Sequence, residues 1–409
     1  MTSTIGTNFV IFFFFSTMSL FSERLTGTAA FAGYMSMAYS ITALVIRPIA
    51  GSLSDKHGRV RLIIIGAAVC VIACILYAVT TNLIISGFAA GLTLLVVIRA
   101  LNGLGFSLNN TSAGAAVPDV APKERMAEGV AMFGMNFTIA QAIGPFIALA
   151  IVGSGELHRF NMLFYLSAGL CAVSLISGCF IKYERGQNPR RHEKSAPEST
   201  QGSSEPDIKA FLGFEPPVFV PALLIMILYI GLSSVMSYIT LYGDIRGFQV
   251  EQLGWFFFTS AAGVAAARLL FGKIADKRGP DIIIIPGIIL IAISLLLIPF
   301  SPSILFLILL GAPYGLATGA VSPPLSALMF KRCSAKRRGT ASAAFTMAID
   351  AGVAIGAPVM GLIADNISFD WVFRIASALA IIALLIYICN VSEKSHARRQ
   401  AKRIQTAPE

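Results

Sequence analysis

Two stretches decide the reading of this chain: RPIAGSLSDKHGR, Arg47 to Arg59, and RLLFGKIADKRGP, Arg268 to Pro280. They share R-x-x-x-G-x-[LI]-[SA]-D-K-[HR]-G at a separation of 221 residues in a chain of 409. Each lies between two long apolar runs. A charged, glycine-bearing turn written twice, half a chain apart, marks an internal duplication.

Outward from these turns the apolar runs recur along the sequence. Hydrophobic residues make up 56% of the chain and charged residues 13%, with a mean hydropathy of +0.76; soluble domains carry roughly 25% charged residues. Most runs are long enough to cross a bilayer's hydrocarbon core as helix, which takes about 20 residues. They show no period of two, which favours helices over a transmembrane barrel. Twelve segments are predicted, at 8–21, 28–50, 62–79, 91–116, 127–152, 160–181, 218–241, 254–271, 281–299, 303–329, 340–363 and 371–390. The first is short for a full crossing, and 80–91 reads either as a loop or as an extension of the fourth segment. The expected organisation is an N-terminal six-helix half (1–182), a polar tether rich in Ser, Pro and Gly (183–217), a C-terminal six-helix half (218–392) and a basic tail (393–409). The tether cannot bury enough apolar surface to fold alone.

The net charge of +10 is explained by its placement. With alternating segments, 24 Lys and Arg fall on the side of the signature turns, the tether and both termini, against Arg24, Arg159 and Arg246 on the other. Cytoplasmic loops retain Lys and Arg, so the expectation is a multi-pass protein of the cell membrane with both termini inside, and no nucleic-acid partner. Five of six cysteines lie within apolar runs and none has metal-ligand spacing, so neither a disulfide framework nor a metal site is expected. All four His (His57, His158, His192, His396) lie in loops or the tail. Neither H-E-x-x-H nor G-x-x-x-x-G-K-[ST] occurs, which argues against an enzyme. The polar pieces are too small for a signalling domain. No basic region or small-residue cleavage site accompanies the first run, so no cleaved leader is expected.

The duplication extends beyond the turns. Gly103 aligns with Gly315 and Gly144 with Gly356, both at an offset of 212, and Lys123 and Arg125 face Lys336 and Arg338 at 213. At these residues the chain resembles the major facilitator superfamily. Gly51, Asp55, Gly58 and Arg59 match its signature loop G-x-L-x-D-x-x-G-R, and Gly272, Asp276 and Gly279 match the weaker echo in the second half. Arg99 and Gly103 match its helix-four motif, with Asn102 where Gln is common. Gly144 and Pro145 resemble its helix-five antiporter motif, although Phe146 to Leu149 lack the usual trailing glycines. The resemblance implies an all-α integral membrane fold of twelve helices in two six-helix halves. It implies a secondary transporter working by alternating access, which takes a small molecule and needs no cofactor beyond an ion gradient.

Physical roles follow for the singled-out residues. Gly51 and Gly58 are expected to supply the tight turn. The resemblance places Asp55 against the N-terminal end of the eleventh helix, near Gly339, where the helix dipole favours an anion. It pairs Arg59 with Asp119. The second latch is weaker, because Pro280 follows Gly279 where Arg59 follows Gly58. Arg99 lies within a segment, so it faces the cavity or a helix interface; the resemblance links it to proton transfer, and the alternative is bonding to backbone carbonyls. Asp350 lies eleven residues past Gly339, about 16 Å along a helix and near the bilayer middle. An ionised carboxylate is poorly solvated there, so Asp350 is the candidate for carrying the coupled proton, against a structural role paired with an arginine. Candidates to line the cavity are Asn102, Asn109, Asn136, Thr138, Gln141, Tyr229, Ser233, Tyr238 and Tyr314, each of which competes with a simple helix-to-helix hydrogen bond. The resulting expectation is a monomeric, proton-coupled exporter of small organic molecules; the alternative is a symporter or uniporter importing a nutrient.

Overall fold

A computed structural model describes residues 2–85, 90–120, 126–153, 155–181, 216–332 and 338–391. Among them are twelve long helices: α1 (Thr2–Thr26), α2 (Ala30–His57), α3 (Arg59–Ile85), α4 (Gly91–Val120), α5 (Met126–Val152), α6 (Leu157–Cys179), α7 (Pro216–Ile245), α8 (Val250–Arg278), α9 (Asp281–Leu297), α10 (Ile304–Arg332), α11 (Arg338–Asn366) and α12 (Phe369–Ile386). A 3-10 turn extends α9 and a π turn extends α12. All twelve helices are long and apolar enough to cross a membrane. No strand occurs among the described residues, as expected where lipid offers backbone groups no partner. The tether's residues 182–215 and the tail from 392 lie outside the described residues.

Two expectations about segment ends change. The first helix is a full crossing of 25 residues, six residues longer at its start than the apolar run suggested. Its early Thr4, Thr7 and Asn8 are buried and never face lipid: Asn136 donates to Thr4, Thr7 donates to Asn109, and Asn110 donates to Asn8. Residues 80–85 belong to α3 rather than to a loop or to α4. Thr80 and Thr81 are buried, and the Thr81 hydroxyl returns to the Tyr77 carbonyl, so these polar residues continue the helix without an unpaired hydroxyl at Thr81.

The helices form two six-helix halves, α1–α6 and α7–α12. In the first, α3 packs on α4 and α6, and α1 on α5 and α6; in the second, α10 packs on α8 and α9, and α12 on α7 and α9. The outer surface is apolar. Ile65, Ile72 and Val79 recur every seven residues of α3 and are exposed, a stripe suited to lipid. The halves meet mainly along α2 with α11, α5 with α8, and α1 with α7, with a smaller contact of α2 on α7. Chain direction alternates, so the signature turns lie at one end of the bundle (the basic end) and Gly27, Gly153 and Gly247 at the opposite end.

Candidate functional site

Between the halves lies a cavity of about 220 Å³. Helices α1 and α5 contribute Phe12, Phe15, Ser16, Phe137, Gln141 and Pro145; α7, α8, α10 and α11 contribute Tyr229, Phe256, Phe257, Ser260, Tyr314, Thr318 and Ile349, among others. Seven of these side chains are aromatic and none is charged. Phe12 meets Phe137 edge-on at 4.9 Å, and Phe256 lies 6.1 Å from Tyr314. Ser16, Gln141, Ser260, Thr318 and the two tyrosines are the polar side chains of the lining, and the Tyr229 hydroxyl lies 3.3 Å from Ser322. A mostly apolar pocket with a few convergent polar groups is the usual form of a small-molecule site.

The opposite end of the bundle is shut by contacts between the halves. Asp365 of α11 accepts the backbone N–H groups of Ala29 and Ala30, one to each oxygen, at 2.8 Å. The N-terminus of α2 has no cap from its own Ala29, so it is capped by the other half. Arg24 of α1 reaches Asp244 of α7 at 2.9 Å. Gly33 of α2 packs so closely on α11 that a Cβ there would stand 2.6 Å from the Pro358 Cα. Tyr238 donates to the Ala357 carbonyl at 2.6 Å beside this contact.

Nearer the basic end, charge crosses each flanking seam. Asp350 of α11 is buried and pairs with Arg47 of α2: Nη2 donates to Oδ1 at 3.2 Å, and Nε lies 2.5 Å from Oδ2. On the other seam, Arg268 of α8 donates to the Thr138 hydroxyl of α5 at 2.7 Å. Sequence reasoning did not find the partner of Asp350. Its one available signal was that Arg47 opens the repeated motif and stands inside a segment. Arg99 is fully buried in the first half, 4.8 Å from the Tyr39 ring, 5.2 Å from Phe14 and 5.7 Å from Phe15, and donates to Asn102 at 3.3 Å. Aromatic faces attract a guanidinium, strongly so when water is excluded. Tyr39 feels both Arg99 and the Arg47–Asp350 pair electrostatically, and its hydroxyl has no hydrogen-bond partner among the described residues. Among the described residues, Arg99 is the buried guanidinium and Asp350 the buried carboxylate.

Of the polar residues expected at the cavity, the structure brings Gln141, Tyr229 and Tyr314 together there. The others are taken up by helix contacts and do not line it. Asn102 serves Arg99. Asn109 joins α1, α3 and α4 through Thr7 and the Ile63 carbonyl, and Asn136 joins α5 to α1. Thr138 returns to Gly134 and accepts from Arg268, Ser233 returns to Ile230, and Tyr238 bridges to α11. Gly144 packs α5 on α1, a Cβ there standing 3.1 Å from the Phe12 Cβ, and the adjacent Pro145 lines the cavity.

At the basic end the turn is made by Gly58, with φ +93°, and in the second half by Gly279, with φ +86°. L side chains rarely adopt such angles. Gly51 does not share this role: it lies inside α2, and a Cβ there would meet no described atom within 4 Å. Arg59 meets the Asp119 carboxylate and the Ala115 carbonyl, tying α3 to the end of α4. The side chains of Asp55 and Asp276, and the surroundings of Gly272, lie outside the described residues.

Comparison with known proteins agrees with this architecture. The chain is 23% identical to the staphylopine export protein of Staphylococcus aureus over 88% of its own length and 87% of that protein's. It is 22% identical to multidrug resistance protein 2 of Bacillus subtilis, covering 89% and 87%. Its fold matches the inward-open xylose transporter XylE from E. coli with a TM-score of 0.72 at 14% identity, covering 96% of this chain and 95% of that one. The Major Facilitator Superfamily profile matches residues 1–280 and again 222–408. With its duplicated signature turns, paired six-helix halves and a central cavity between them, the chain belongs to the Major Facilitator Superfamily.

Proposed function

We propose that this transporter is a proton-coupled exporter of small organic molecules that works by rocking its two halves about the central cavity. The observation that carries the reading is the Asp350–Arg47 pair. It joins the halves at membrane depth, and protonation of Asp350 removes the anion that holds α11 to α2. An uncompensated charge there is costly, so the protonation state of one carboxylate biases how the halves sit. A carrier coupled to protons needs such a group, one whose occupancy changes the balance between conformations. Export is supported by the similarity to the staphylopine export protein and to multidrug resistance protein 2, and by Gly144–Pro145 on α5. In this reading the basic end faces the cytoplasm of a cell-membrane protein, and Asp55 latches that end when it closes.

The test uses everted membrane vesicles and a panel of radiolabelled or fluorescent compounds, with and without a proton gradient. Export predicts accumulation driven by the gradient, whereas an importer would be driven out of the vesicles. Asp350→Asn is expected to abolish gradient-driven accumulation while substrate exchange persists. Unchanged accumulation in Asp350→Asn overturns the assignment.

A further inference from the structure

The repeat that relates Arg47 to Arg268, 221 residues apart, also relates Thr138 to Asp350. Their offset of 212 is the one that aligns Gly144 with Gly356 and Gly103 with Gly315. The two contacts that cross the flanking seams are therefore the same contact made twice: Arg47 on Asp350 between α2 and α11, and Arg268 on Thr138 between α8 and α5. In the first the guanidinium meets a carboxylate. In the second it meets a hydroxyl, which accepts a hydrogen bond but cannot neutralise charge. No carboxylate lies within ion-pair distance of Arg268 among the described residues, and Arg268 is exposed.

The position of this cation, which has no carboxylate partner among the described residues, is specific. Thr138 follows Phe137 directly and precedes Gln141 by one helical turn, and both of those line the cavity. On α8, Ser260 also lines it, eight residues before Arg268 and hence close to the same helix face. The guanidinium is thus held by Thr138, next in sequence to the cavity-lining Phe137, and the chamber itself has no charged lining residue. A planar guanidinium binds a carboxylate through two parallel N–H donors, a geometry that favours this ligand over a neutral or cationic one.

We infer that Arg268 is an anion-binding subsite of the transport cavity, and that the substrate is a small organic carboxylate with an aromatic or apolar body. The carboxylate sits on Arg268 beside Thr138, and the ring lies among Phe12, Phe137, Phe256 and Phe257. The bound anion thus does at the α5–α8 seam what Asp350 does at the α2–α11 seam. This rests on the reading of the cavity as the transport site, but not on proton coupling or direction.

The test is binding to the purified full-length protein in detergent, where no gradient is needed. Thermal unfolding is followed with three matched compounds: 1-naphthoate, 1-naphthylmethylamine and 1-naphthalenemethanol. Naphthoate is expected to stabilise the wild type with a half-saturating concentration about tenfold or more below those of the other two, the scale of a charged hydrogen bond. Arg268→Gln is expected to erase that preference and Arg268→Lys to keep part of it. Thr138→Asp retains the arginine but supplies an internal carboxylate, and is expected to lose naphthoate binding as well; it decides the matter if Arg268→Gln fails to fold. Absence of stabilisation by naphthoate, equal binding of all three compounds, or naphthoate binding unchanged in Arg268→Gln or Thr138→Asp overturns the proposal. Absence of proton-driven export by the wild type, with naphthoate binding intact, would count against the coupling reading alone.

Discussion

Replacing Asp365 by Asn is expected to loosen the opposite end of the bundle. The carboxylate accepts two backbone N–H groups at the start of α2, each at 2.8 Å. Hydrogen bonds to a charged group contribute about 1.5–3 kcal/mol each where solvent is excluded, and a helix N-terminus adds about 0.3–1 kcal/mol for an anion. Asp365 is exposed, so water already screens much of this. Asn keeps one oxygen acceptor and loses the charge. The net loss is then about 1 kcal/mol, or about fivefold in the ratio of shut to open. A population of about 9:1 would fall to about 2:1. The measurement is double electron–electron resonance between spin labels at His158, in the first half, and Ser303, in the second, in a cysteine-free background. A longer-distance component is expected to grow in Asp365→Asn. An unchanged distance distribution would refute the idea that this cap holds the halves together.

Two further outcomes are expected, one at each end of the bundle. Gly33→Leu puts a side chain where a Cβ alone would stand 2.6 Å from Pro358, so the opposite end cannot close fully; cysteine-labelling rates at that end are expected to rise several-fold with membrane abundance retained. Asp55→Asn is expected to cut transport sharply at normal abundance and Asp276→Asn to cut it less, because only the first turn is followed by an arginine; equal, near-normal vesicle transport in both would count against the latch.

What the sequence disclosed followed from lipid. Because a crossing helix must be apolar on its lipid face, the segments stood out, and the repeated turn showed that six had become twelve. The start of α1 escaped notice because Thr4, Thr7 and Asn8 face protein, where a hydrogen bond replaces hydrophobicity. The cavity was legible only in part. Gln141 and Tyr229 look no different in sequence from Asn109 and Asn136, and whether a polar side chain faces a guest or a neighbouring helix depends on rotation about the helix axis. The Arg47–Asp350 pair joins residues 303 apart and requires the halves to be docked. Yet Arg47 had a mark of its own, since it and Arg268 are the first letters of the repeated motif.

The aromatic surroundings of Arg99 also bear on how the protein is made. An arginine at the centre of a helix opposes insertion into the bilayer by roughly 2.5–3.5 kcal/mol. The rings that receive it, Phe14 and Phe15 on α1 and Tyr39 on α2, belong to helices synthesised before α4. When the ribosome delivers the fourth helix, the shelter for its cation is already in the membrane. The order of the helices along the chain thus doubles as an order of assembly, in which the first two act as a chaperone for the fourth.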